Sequence, residues 1–173
     1  MAVSATSLID LPPPKIPQND KLAAWELSTP FARCAMKAYM IHLNQAHVAS
    51  GGRGVVELGQ LVLHFNTPAW APLKNSQSDL VKFLTTTLAK GDGIDYQSLV
   101  IMGLLHCADS SMPLEKADAL YELLQEGGAA KHDFISSADK DMEPVFRKLF
   151  SMATYLAADG AGLPHLYTSE ERA

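Results

Sequence analysis

The sequence predicts an all-α protein assembled from helix–loop–helix units. Three observations carry this. Apolar residues recur at helical spacing through most of the stretch from 31 to 157. Glycine clusters interrupt that spacing at 51–54, 91–93 and 127–128. After each cluster an aliphatic residue (Val56, Ile94 or Ile135) precedes the next apolar helix. Two successive units, 79–108 and 114–157, organise the chain. A flexible Pro-rich arm over 1–18, a helical domain over 19–160 and a polar tail over 161–173 complete the expected division.

The bulk numbers agree with one folded domain. Of 173 residues, 47% are hydrophobic and 19% charged, which suits a substantial core. The net charge is −5, with no cluster of Lys and Arg of the kind nucleic acid requires. The N-terminal stretch lacks a basic region followed by an apolar one, and no apolar run reaches the ~20 residues of a membrane span. Ala2 stands where myristoylation needs Gly. A cytoplasmic, reducing location is expected. Cys34 and Cys107 then read as reduced core residues.

Each element has a local cause. Pro12, Pro13, Pro14 and Pro17 favour an extended polyproline arm. Asn19 or Asp20 can cap a short helix through Leu27, with Leu22 and Trp25 on its apolar stripe. Pro30 suits a helix start, and the spacing of Phe31, Cys34, Ala35, Ala38, Tyr39 and Ile41 predicts a helix to about His47. The run Ser50-Gly51-Gly52-Arg53-Gly54 breaks it, and Val56, Leu58, Leu61, Val62 and Phe65 restart an apolar pattern. Pro68 and Pro72 make 66–77 a connector, anchored on the core by Trp70 and Leu73. Ser78 is the expected N-cap of a helix burying Leu80, Phe83, Leu84 and Leu88.

Gly91-Asp92-Gly93 predicts a tight turn followed by one or two extended residues. The helix from Tyr96 to Cys107 is apolar almost all round, which marks it as the buried centre. Leu114, Ala117, Leu120, Tyr121 and Leu124 form the expected stripe of the next helix, stopped by Gly127 and Gly128. Ser136 or Ser137 caps a final helix carrying Met142, Val145, Phe146, Leu149, Phe150, Met152 and Leu156.

With Val56 at the eighth place of a twelve-residue loop, that loop is 49–60 and Gly54 falls at the sixth place. Ile94 and Ile135 are the candidates for the matching aliphatic residue in the loops 89–98 and 125–139, each fifth from the closing residue as Val56 is. Together these features resemble a series of EF-hands, the calmodulin-like helix–loop–helix family. The resemblance implies that the loops pair through a short β-bridge between eighth-place residues, and Ile94 with Ile135 is the expected pair. It also implies what is lost. Ala49, Gly51, Arg53 and Gln60 stand where the first loop would carry calcium ligands. The loop 89–98 is shorter than the family's, closes on Ser98 and keeps Asp92 and Asp95 out of frame. The loop 125–139 is longer, opens on Gln125 and closes on Asp139. Hands without ligands are expected to bind no calcium.

No catalytic or cofactor motif stands out, and no enzyme, cofactor or metal site is expected. The histidines make no HExxH spacing. Cys34 and His42 could share a helix face, but two ligands do not define a site. Asp139, Asp141 and Glu143 suit the positive end of the last helix. The expected function is a calcium-independent module whose apolar cleft holds a partner's amphipathic helix. Met102, Leu105, Met142, Phe146, Phe150 and Met152 are its expected lining. The alternative is a small all-α enzyme or small-molecule binder with a pocket among His106, Cys107 and Tyr121. An odd number of hands would leave the first to pair with the segment 20–27 or with a second copy in a homodimer.

Overall fold

A computed structural model describes residues 8–15, 27, 29–108, 114–126, 143, 146 and 147. The described residues are mostly helical, with a small antiparallel sheet. None of their helices is long and apolar enough to cross a membrane.

The first expected helix is two pieces. A short 3-10 helix, Pro30–Arg33, starts on its proline. The chain then extends through Cys34 and Ala35 before α1, Met36–Ala49. The Cys34 amide closes the single turn by donating to the Phe31 carbonyl at 3.0 Å. Val55–Val56 is β1, and Leu58–His64 is α2. The connector forms a second 3-10 helix, Pro68–Lys74, whose Trp70 and Leu73 are buried as expected. Ser78 caps α3, Asp79–Thr86, its hydroxyl oxygen accepting from the Val81 amide at 3.2 Å. Ala89–Lys90 is β2, Gly93–Asp95 is β3, Tyr96–His106 is α4 and Leu114–Glu126 is α5.

The sheet order is β1-β3-β2, antiparallel throughout. Val56 stands opposite Ile94, and Ala89 opposite Ile94 on the other side. This corrects the expected pairing of Ile94 with Ile135. Both edges of β3 are already taken, so Ile94 has no side left for a third strand. Ile135 itself lies outside the described residues. The loop 49–60 therefore pairs with the loop 89–98, and the other expected partner of the first loop, the segment 20–27, lies outside the described residues except for Leu27. Lys90 opposite Gly93 leaves Gly91-Asp92 as a two-residue turn. Gly91 has φ +57 and no non-glycine among the described residues has positive φ, which fits a hairpin turn with glycine at its first central position.

The core lies between α1 and α4. Val100, Ile101, Met102 and Leu99 of α4 are buried, which matches its nearly uniform apolarity. Tyr39 stands at the centre of an aromatic cluster, its ring centroid 5.5 Å from Phe31, 5.4 Å from Phe65 and 6.1 Å from Trp70. Its hydroxyl donates to the Leu99 carbonyl at 2.7 Å, tying α1 to α4. Among the α5 side chains described, Ala119 and Leu123 are buried and Leu120 is half-buried against the core, while Ala117 and Tyr121 are exposed. The face that packs on α4 and α1 thus keeps Leu120 of the expected stripe but turns away from Ala117 and Tyr121.

The N-terminal arm is held to the body at Leu8–Leu11 rather than free there. Leu8 packs on the core. Asp10 accepts from the Thr67 hydroxyl at 2.5 Å and the Ala69 amide at 2.8 Å. The Leu11 amide donates to the Arg33 carbonyl, and the Arg33 Nε donates back to the Leu11 carbonyl at 3.1 Å. Asp10 thereby caps the start of the 3-10 helix Pro68–Lys74 from a distant part of the chain.

Candidate functional site

The polar contacts of the described residues concentrate where the two loops meet. In the first loop Gly54 has φ +73, a conformation that suits glycine alone at this place. Its amide donates to His47 Nε2 at 3.1 Å. The His47 ring stacks on Tyr96 at 4.0 Å, and the Tyr96 hydroxyl donates to Asn44 Oδ1 at 2.6 Å. The Ser50 hydroxyl donates to the Ala46 carbonyl and accepts from the Glu57 amide. Helix ends leave backbone groups without helical partners, and these side chains supply them.

In the second loop Asp95 is the N-cap of α4 and is 4% exposed. Its Oδ2 accepts from the Ser98 amide at 2.9 Å and the Ser98 hydroxyl at 2.6 Å. Its Oδ1 accepts from Lys90 Nζ at 3.0 Å. A Cβ added at Gly54 would come within 3.9 Å of the same Nζ. The Lys90 ammonium therefore stands between the two loops, a positive charge fixed by its own side chain. The pattern Asp95 followed by Ser98 is a legible cap signal. The part played by Lys90 has no sequence signal, because it depends on the hairpin register.

The residues expected to line a cleft are scattered in their surroundings. Met102 is in the core, 1% exposed. Leu105 is half-buried against it, and Phe146 is exposed at 43%. Met142, Phe150 and Met152 lie outside the described residues. The alternative pocket fares differently. His106 is half-buried at the end of α4, Cys107 is buried, and Tyr121 is exposed on α5. Burial, then the Lys116 charge, pulls the His106 imidazole down to about 4. Burial, then a side-chain hydrogen bond and charge interaction with Cys34, pushes the Cys107 thiol up.

Cys34 and His42 do not share a helix face, because Cys34 sits in the extended link before α1. Cys34 lies instead beside Cys107, a neighbour that sequence spacing could not reveal. Among the described residues no group of three or more His, Cys, Asp or Glu is arranged to hold a metal. No family model matches this sequence, and no curated protein or solved structure matches it either.

Proposed function

We propose that this chain is a calcium-independent, EF-hand-like interaction module that receives an amphipathic helix of a partner protein. The observation that carries the reading is the register of β1 against β3. Val56, at the eighth place of the loop 49–60, and Ile94, the matching aliphatic residue of the shorter loop 89–98, stand directly opposite one another. Further geometry supports it. Each exit helix begins two residues after that aliphatic residue, at Leu58 and at Tyr96. Gly54 takes the required positive φ at the sixth place.

Calcium independence follows from chemistry at the same point. The second loop is closed by a two-residue turn, and Asp95 already spends its carboxylate on Ser98 and Lys90. With the Asp95 carboxylate bonded to Ser98 and facing the Lys90 ammonium, the junction offers a cation no free set of oxygens and so no ion-driven switch. Leu105 and Phe146 are the cleft residues a partner helix would meet from solvent. Met102 would support them from within the core.

Two measurements test this. Calorimetric titration of metal-free protein with calcium, with magnesium as control, should give no heat and no change in melting temperature. Clear binding with a structural response would overturn the reading of the loops. Binding of amphipathic helical peptides should be lost in Phe146→Asp. A folded Phe146→Asp variant that binds them as well as the parent would remove the cleft.

A further inference from the structure

Outside the sheet the chain meets itself at one further bridge among the described residues. Ala35 and Ala108 form a parallel β-bridge, closed by the Ala108 amide donating to the Cys34 carbonyl at 3.0 Å. Cys34 and Cys107 immediately precede the bridged residues on the two segments. In a parallel pairing, residues one step back on both segments stand level and project to the same side. Both cysteines are free thiols, 1% and 3% exposed, and after burial it is Cys34 that most raises the Cys107 thiol. Adjacent segments run ~4.8 Å apart, inside the ~4.4–6.8 Å between Cα atoms that a disulfide spans.

We infer that Cys34 and Cys107 form a latent redox tie, which a peroxide oxidant converts to a disulfide fastening the entry to α1 onto the end of α4. One thiol, as its thiolate, attacks a peroxide oxygen and becomes a sulfenic acid, releasing hydroxide. The sulfur of the second then displaces the sulfenic oxygen, also as hydroxide, and the S–S bond forms. The two thiol protons convert both hydroxides to water. One peroxide is thus reduced to two waters as two thiols become one disulfide.

Burial governs the speed of this step. Apolar surroundings push the Cys107 thiol up, so thiolate is scarce in the closed structure, with the nearby Lys116 charge opposing that effect. Oxidation therefore waits on a local opening at the Ala35–Ala108 bridge. Once formed, the bond is shielded from reductants by the same packing. It would close a loop from 34 to 107 that contains α1, the whole sheet and α4.

The test uses the full chain and hydrogen peroxide, read by intact mass and by a non-reducing peptide map. The expected result is loss of two hydrogens, a linked Cys34–Cys107 peptide, and a melting temperature higher by about 10 °C. Dithiothreitol added to the unfolded protein should restore the two hydrogens and separate the peptides, and the refolded reduced protein should melt at the original temperature. Cys34→Ala and Cys107→Ala should each abolish the loss of two hydrogens. Oxygen addition without linkage, a disulfide-linked dimer, or a linked peptide without a rise in melting temperature would overturn the inference. So would an unchanged mass under conditions that oxidise the same protein in urea.

Discussion

Gly103→Ala tests the packing of α1 against α4. A Cβ built at Gly103 would lie 2.5 Å and 2.6 Å from two ring carbons of Tyr39 and 3.3 Å from the Met36 methyl. Carbon atoms rest at about 3.5–4.0 Å, so the ring would have to retreat by roughly 1 Å. It has nowhere to go. Its hydroxyl is bonded to the Leu99 carbonyl, and Phe31, Phe65 and Trp70 surround its face and edges. Overpacking of a filled core costs about 1–3 kcal/mol, and a pinned ring places this site near the upper end. Alanine returns about 1 kcal/mol through its better helix propensity. The net loss is about 2 kcal/mol, which lowers the melting temperature of a chain this size by roughly 4–8 °C. Thermal unfolding followed by circular dichroism measures it. Gly59→Ala is the control, since a Cβ there meets nothing within 4 Å, and it should leave the melting temperature unchanged or slightly raised. A Gly103→Ala variant as stable as the parent would refute the argument that Tyr39 is fixed.

Three further tests address the loops, the arm and the end of α4. Folded His106 stays neutral down to about 4, whereas the unfolded residue takes a proton near its ordinary 6.5. Its contribution is therefore complete above about 6.5 and is lost as pH falls toward 4, by less than about 3 kcal/mol because the ring is only half-buried. Urea midpoints across that range should fall less steeply in His106→Gln than in the parent. Asp95→Ala removes the cap of α4 and the partner of Ser98, and should cost about 1–2 kcal/mol by chemical denaturation. Lys90→Met should cost under about 1 kcal/mol, because its side chain is 60% exposed, and equal costs would show that the ion pair matters more than the cap. Asp10→Ala frees the Thr67 hydroxyl and the Ala69 amide, and should cost about 1–3 kcal/mol and speed proteolysis of the arm. An unchanged cleavage rate would mean that Leu8 and Arg33 hold the arm unaided.

Helical spacing, caps and glycine punctuation made much of the fold legible. Ser78 capped the helix it was expected to cap, and the nearly uniform apolarity of α4 marked the centre of the core. Local signals could not reach across the chain. The nearer unit offers Ile135 as the partner of Ile94, yet β3 is bracketed by β1 and β2, and nothing in its own residues encodes that choice. The rotation of α5 is a similar case. Ala117 and Tyr121 fit a helical stripe as well as Ala119 and Leu123 do, and only packing against α4 selects between them. The adjacency of Cys34 and Cys107 and the reach of Lys90 across the hairpin arise wholly from tertiary folding.

A strand bonded on both sides also decides how a disturbance spreads. The Asp95 amide donates to the Leu88 carbonyl and the Tyr96 amide to the Gly54 carbonyl, so the start of α4 hangs on both loops at once. The Tyr96 ring rests on His47, at the far end of the first loop. A torque applied to either loop is therefore delivered to the root of α4. A residue changed at the tip of one hairpin should shift amide resonances along that helix, with the two loops turning as parts of a single gear rather than as independent flaps.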